Sequence, residues 1–321
     1  MTAPPAQEAA PSRRVRVPAS TSNLGPGFDQ LGLALELYLE VELEPVSGPP
    51  GLTWGALEGE AAAWPRSGNL LAAAIEAGAG GGPLPAAARL HARSEIPAGR
   101  GLGSSGAAVA AGLCLGRSWS GAGDPLDRAA RLGLAERGLE LEGHPDNVTA
   151  SLLGGCTLGV PLPDGSLRVV QQELHQELLF AVAWPSSPLA TERARAALPT
   201  SLPLTSVVWN TRRLSLLLEG LRRGDRELLA LGVDDRLHSA WRLPLIPGAE
   251  RALAAAREAG AWLAAISGAG SALVAATDDP DHGEELLGAL LSALEAENDW
   301  ARGRLLRADA RGAQLVAPSS S

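Results

Sequence analysis

The stretch Gly99–Leu115, GRGLGSSGAAVAAGLCL, constrains this chain more than any other. From Ala107 on it is uniformly small and apolar, so a helix made from it has no polar face and has to be buried. Just before it, Gly99, Gly101 and Gly103 let the backbone take positive φ and approach a ligand closely. Ser104 and Ser105 then start the helix. Backbone N–H groups at a helix N-terminus bind anions by geometry and dipole, without a lysine. Taken alone, the glycines fit a tight turn with a serine N-cap equally well.

The lysine-free option matters because the chain has no lysine: all 27 basic residues are arginine. A Walker-type phosphate lysine, a protein-kinase lysine and a Schiff-base lysine are therefore excluded. The abundance of Arg, Ala, Gly and Pro beside so little Phe, Tyr and Met points to nucleotide bias as the cause. The chemical exclusion holds whatever the cause.

Gly101-Leu-Gly103-Ser-Ser-Gly106 also matches GxGxxG, the dinucleotide fingerprint of NAD-binding oxidoreductases. Three features argue against it. Ile96–Arg100 separates the glycines from the preceding strand. The approach HARSEI is poor in Val and Ile for a buried parallel strand. Asp124 and Asp127, about 20 residues on, flank a loop and a helix start instead of ending a second strand.

With 321 residues and 45% hydrophobic content, two domains are expected, with one large α/β unit as the competing arrangement. A net charge of −9 makes the chain a poor binder of nucleic acid or anionic membrane. Cys114 and Cys156 are too few and too isolated for a disulfide framework, which suits a reducing cytoplasm. No secretory signal or transmembrane run is apparent. Residues 1–12 and 317–321 are expected to be flexible tails. Strands are expected at 14–18, 88–95, 156–160, 167–171 and 178–183, and helices at 67–76, 107–115, 126–141 and 146–153. Beyond Pro188, helices alternate with short strands. The boundary is placed near residue 172.

Other polar residues cluster around the glycine loop. Glu136, Glu140 and Glu142 compete as the carboxylate that a nucleotide-bound Mg²⁺ requires, and periodicity alone does not choose among them. Gly143-His-Pro-Asp-Asn147 is a polar turn entering a helix. Ser20-Thr-Ser-Asn23, followed by Asp29, is too long to be only a turn. Thr191 and Arg195 share a helix face, and Arg242 follows a Trp; two arginines are an economical grip on a carboxylate, although surface ion pairs explain them more readily. Ser267-Gly-Ala-Gly-Ser271 is a third turn of small residues.

Three segments in order resemble the motifs of the GHMP kinases, small-molecule kinases without a Walker motif: VPASTSNLGPGFDQLGLAL at 17–35, IPAGRGLGSSGAAVAAG at 96–112 and ISGAGSALVA at 266–275. NLGPGFD, EGHPDNV at 142–148 and TERARAALP at 191–199 are most similar to the branch of that family acting on L-homoserine. The resemblance implies an α+β, two-domain fold. A domain like the second domain of ribosomal protein S5 would span 13–172, and a ferredoxin-like C-terminal domain 173–316.

It further implies ATP with its phosphates on Pro97, Gly99, Arg100, Gly101, Leu102, Gly103, Ser104, Ser105, Gly106 and Ala107, and its adenine near Asn69. Mg²⁺ would lie on Ser105 and on Glu136, which stands at the family's spacing from His144. Asn23, Asp29, His144, Asp146 and Asn147 would hold the amino and hydroxyl ends of the substrate, and Thr191, Arg195 and Arg242 its carboxylate. Asn147, Glu136 and Ser105 would be the catalytic set, with Asn147 where some relatives place a catalytic Asp. The implied reaction moves the γ-phosphoryl of ATP to the hydroxyl of L-homoserine, for threonine biosynthesis. The expected protein is cytoplasmic, without nucleic-acid or membrane partners, and compatible with a homodimer.

Overall fold

The computed structural model describes residues 12–317; the terminal segments expected to be flexible lie, apart from Ser12 and Ala317, outside the described residues. In chain order the first part runs β1 (Arg13–Asn23), β2 (Gly27–Pro45), β3 (Gly51–Gly59), α1 (Leu70–Gly78), β4 (Ala87–Ser94), α2 (Ser104–Trp119), α3 (Arg128–Glu142), α4 (Asp146–Leu153), β5 (Cys156–Pro161) and β6 (Leu167–Gln172). The second runs β7 (Leu179–Pro185), α5 (Thr191–Ala196), α6 (Leu204–Arg223), α7 (Arg226–Gly232), α8 (Ser239–Arg242), α9 (Ala249–Glu258), β8 (Leu263–Ile266), β9 (Leu273–Thr277), α10 (Pro280–Glu295), β10 (Ala301–Arg307) and β11 (Gln314–Val316).

Two sheets result. The first has the order β11-β1-β2-β4-β3, with β5 and β6 continuing from the other end of β2; the second is β10-β7-β9-β8. β2 can serve two neighbours because it is 19 residues long: Leu39–Pro45 pair with β4 and Leu31–Leu33 with β5. The changeover between sheets falls after β6, but β11 returns to pair with β1. Residues 314–316, assigned from sequence to the second half, therefore belong to the first sheet.

The small-residue helix α2 is buried from Gly106 through Gly116, as its composition requires. Its glycines set a close crossing with α1: a Cβ on Gly112 would stand 2.6 Å from the Cβ of Ala74. The dinucleotide alternative fails on topology. β3–β4 is the one parallel pairing among the described strands of the first sheet, and β4 ends at Ser94, well short of α2.

Two local expectations change. The strand expected at 14–18 continues through Ser20–Asn23, which are buried; those hydroxyls and amides find partners across the cleft described below, and so can be buried. β3 was not anticipated, because Gly55 interrupts its alternation, and the register against β4 shifts between Trp54 and Leu57.

Candidate active site

The three motif segments are bonded to one another. Leu102 O accepts from Ser20 N at 3.2 Å, and Arg100 O from Ala272 N at 2.8 Å. Ser267 Oγ donates to Gly101 O at 2.7 Å and lies 2.9 Å from the Thr21 hydroxyl. Gly268 N donates to Ser22 O at 3.0 Å, while Gly268 O accepts from Asn23 Nδ2 at 2.8 Å and Arg242 Nη1 at 3.0 Å. Chain segments from both sheets thus form one floor.

Above that floor lies a cleft of about 720 Å³. At one end the loop before α2 presents Ala98, Gly99, Gly101, Gly103, Ser104, Ser105 and Ala108. Gly103 has φ 67°, and a Cβ there would stand 2.1 Å from Ser20 Oγ. Gly101 has φ 75°, and a Cβ there would stand 2.2 Å from Ser267 O. Both positions combine a left-handed conformation with a backbone approach that only glycine allows. No side chain caps α2, so its first N–H groups are available to an anion, and the helix dipole favours one there. This cradle fits a nucleotide's phosphates.

The loop residues do not all contribute. Pro97, Leu102, Gly106 and Ala107 are buried and do not line the cleft. Arg100 turns away from it: its guanidinium donates to the carbonyls of Pro185, Ser186 and Ala98 and faces the Trp300 ring. The side wall beyond the loop is formed by Trp64, Pro65, Gly68, Asn69, Leu70 and Leu71, mostly apolar. Asn69 itself is spent on structure. Its Oδ1 accepts from Leu71 N and Ala72 N as the N-cap of α1, and its Nδ2 donates to Pro65 O.

The acid nearest the phosphate cradle is Glu142, and the assignment of Glu136 is corrected. Glu136 Oε1 accepts from Leu167 N of β6 at 3.1 Å, outside the cleft. Helix geometry gives the reason. At 100° per residue, Glu142 lies about 20° from the buried Ala135, one heptad earlier, whereas Glu136 lies about 100° from it. Glu142 Oε2 is buried without a hydrogen-bond partner. Burial pushes its carboxyl above the ordinary range, with the Ser105 hydroxyl and His144 partly offsetting that. A buried, unpartnered carboxylate oxygen beside a phosphate cradle suits a divalent cation. No cluster of three His, Cys, Asp or Glu forms a metal-binding set among the described residues.

The other end of the cleft is built from charged side chains. Asp29 (φ 57°) is held by its N–H donating to Asn23 Oδ1 at 3.0 Å, and its carboxylate takes both prongs of Arg195 at 2.7 and 2.9 Å. That hydrogen bonding raises the Arg195 pKa against the effect of burial. His144 Nδ1 meets Asp146 Oδ1 at 2.8 Å, a contact that raises the imidazole pKa although burial opposes it. Thr191 lines the rim at the start of α5.

Asn147 joins the two ends. Its Oδ1 accepts from Ser20 Oγ at 3.0 Å, and its Nδ2 donates to Ser22 Oγ and Asp146 Oδ1, both at 3.2 Å. Arg242 is only 1% exposed, yet no carboxylate forms a salt bridge with it among the described residues. Burial, followed by the nearby Arg195, lowers its pKa to about 10.

Three contributors went unassigned in the sequence: Glu142 as the cleft acid, and Phe28 and His238 beside Arg242. The heptad from Ala135 could have found Glu142. His238 stands one helical turn before Arg242, a weaker signal.

The chain matches the family model described as GHMP kinases N terminal domain over residues 69–155 and that described as GHMP kinases C terminal over 217–296. It is 39% identical over 301 residues to the homoserine kinase of Synechococcus sp. (strain CC9605), covering 93% of this chain and 94% of that protein. It is 40% identical over 295 residues to the homoserine kinase of Prochlorococcus marinus (strain MIT 9303), covering 91% and 92%. Its structure superposes on the crystal structure of homoserine kinase from Cytophaga hutchinsonii ATCC 33406 with a TM-score of 0.84 and 26% identity, over 97% of this chain and 99% of that one. This likeness over more than nine-tenths of the chain, together with both family-model matches, shows the family: the chain belongs to the GHMP kinases, in the family of the homoserine kinases.

Proposed function

We propose that this protein transfers the γ-phosphoryl group of ATP to the side-chain hydroxyl of L-homoserine, giving ADP and O-phospho-L-homoserine. The observation that carries this is Arg242, a buried guanidinium without a carboxylate partner, facing a cleft whose other charged groups include Asp29 and Asp146. An acceptor with one carboxylate and one ammonium satisfies both signs; a neutral polyol leaves the arginine uncompensated.

The acceptor oxygen bonds to the γ-phosphorus as the bond to the β-phosphate oxygen breaks, and the hydroxyl proton is released. The chain acts mainly by positioning and charge stabilisation. The N–H groups at the start of α2 hold the phosphates, and the apolar wall at Trp64–Leu71 takes the base. Arg242 and Arg195 bind the substrate carboxylate, while Asp29 and Asp146 face its ammonium. Asn147 is an amide and cannot take the proton as a base; its role is to align the hydroxyl with the phosphate cradle. Glu142 and Ser105 would hold Mg²⁺, which when bound neutralises phosphate charge.

ADP release from Mg-ATP, followed with L-homoserine, L-serine, mevalonate and galactose, tests this. Release with L-homoserine alone is expected. Release with another acceptor and none with L-homoserine would discard the substrate assignment while keeping the nucleotide end.

A further inference from the structure

Arg242 has little to fix its direction. Nη1 donates to Gly268 O at 3.0 Å, Nε is buried without a partner, and the Phe28 ring lies 5.1 Å from Cζ. Among the described residues its other hydrogen-bond contact is with His238, one helical turn earlier, with Nδ1 at 3.5 Å from Nη1. His238 is fully buried and stacks on Phe28, with ring centroids 5.1 Å apart and planes 29° apart. Its Nε2 lies 2.8 Å from Gly25 O, in the turn between β1 and β2.

Those contacts determine the tautomer. A carbonyl oxygen only accepts, so Nε2 carries the hydrogen and donates it. In the neutral ring, Nδ1 is then a lone pair facing a guanidinium N–H, which can only donate. Protonating Nδ1 would set donor against donor and add a second positive charge beside Arg242. Burial, and secondarily Arg242, hold the His238 pKa below the ordinary imidazole range. Asp235, whose Oδ2 is 3.6 Å from Nε2, and Asp29 act in the opposite direction. Phe28 precedes Asp29, so one ring backs both His238 and Arg242 beside the residue that pairs with Arg195.

We propose that His238, as its neutral Nε2–H tautomer, is a positioning residue that aims Arg242 at the acceptor's carboxylate. It touches neither substrate nor nucleotide and acts through the arginine. The proposal rests on the homoserine reading above, since it requires an acceptor with a carboxylate at Arg242.

The test compares L-homoserine with 3-amino-1-propanol, which is homoserine without its carboxylate, in the wild type and in His238→Leu. The expected result is a KM for L-homoserine raised ~10–100-fold, the size typical of losing a group that orients a ligating residue. KM for ATP and kcat/KM for 3-amino-1-propanol should stay within about twofold, so that the preference for the carboxylate-bearing acceptor collapses. His238→Gln, which keeps one donor and one acceptor, should recover much of the loss.

Equal losses with both acceptors, or an unchanged KM for L-homoserine, would overturn the positioning role. A wild type inactive on L-homoserine would instead overturn the reading beneath it. Should His238→Leu fail to fold, long-range ¹H–¹⁵N NMR of the wild-type ring decides the matter. An Nε2–H signal with unprotonated Nδ1 at neutral pH is expected, and an Nδ1–H tautomer or an imidazolium would refute the proposal.

Discussion

The two ends of the cleft are made differently. The phosphate end is backbone: a few consecutive residues, three glycines in left-handed conformation and an uncapped helix start, without a basic side chain. The acceptor end is side chain: Asp29, His144, Asp146, Arg195 and Arg242 converge from distant segments of the chain. Backbone recognition tolerates few substitutions because its shape is the loop's own conformation. Side-chain recognition can be dismantled one group at a time, and each loss should report on one part of the substrate.

The largest expected effect tests the proposed Mg²⁺ site between the two ends. Glu142→Ala should lower kcat by ~10²–10³-fold, the scale for losing a group that stabilises charge in transfer. Glu136→Ala should stay within about threefold, since that residue bonds to β6 and its loss touches only a partly exposed hydrogen bond. Equal losses in steady-state ADP release would return the metal to Glu136. Glu142→Gln supplies a sign as well. Because burial raises the Glu142 pKa, the charged form destabilises the nucleotide-free fold, so this variant should melt higher than the wild type at neutral pH without Mg²⁺.

Next is Gly103→Ala, which places a Cβ against Ser20 Oγ in a conformation unfavourable to alanine. Backbone strain there should cost ~1–3 kcal/mol and weaken ATP binding before it affects acceptor binding, as read by calorimetry with each ligand.

At the acceptor end, Arg242→Leu should weaken L-homoserine binding by ~2–5 kcal/mol while leaving KM for ATP nearly unchanged. Arg195→Leu should cost less, because that side chain is 37% exposed and already engaged by Asp29. The reverse order in KM measurements would make Arg195 the principal carboxylate anchor.

The smallest effect concerns His144. Its pKa is raised in the folded protein by Asp146, against burial. The pair's stabilisation is therefore complete below the unfolded imidazole value of ~6.5 and is lost as pH rises through the higher folded value. His144→Gln should lower Tm by ~1–3 °C more at pH 6 than at pH 9. An equal change at both would remove the charged His144–Asp146 pair.

The same contrast explains what could be read before the fold was known. The phosphate loop and α2 were legible because their residues are contiguous and their chemistry is composition: small, apolar, glycine-led. Most helices and strands were legible from periodicity, including α4 at Asp146–Leu153. Asp29, Arg195 and Arg242 stood out singly in the sequence, but their grouping into one pocket came only through resemblance, since no local pattern links side chains that meet through folding. Glu136 was chosen by spacing in the chain, which ignores the rotation of α3; counting degrees around the helix selects Glu142. β11 gave no signal, because three residues of strand acquire meaning only beside β1.

That last strand has a consequence for how the protein is made. Arg16 pairs with Gln314, so during synthesis the β1 edge waits until β11 has emerged, an interval on the order of tens of seconds at usual elongation rates. Until then an unpaired strand edge faces the crowded cell, open to whatever else can add to it. The nascent enzyme is most at risk of misassociation along the border that β11 seals.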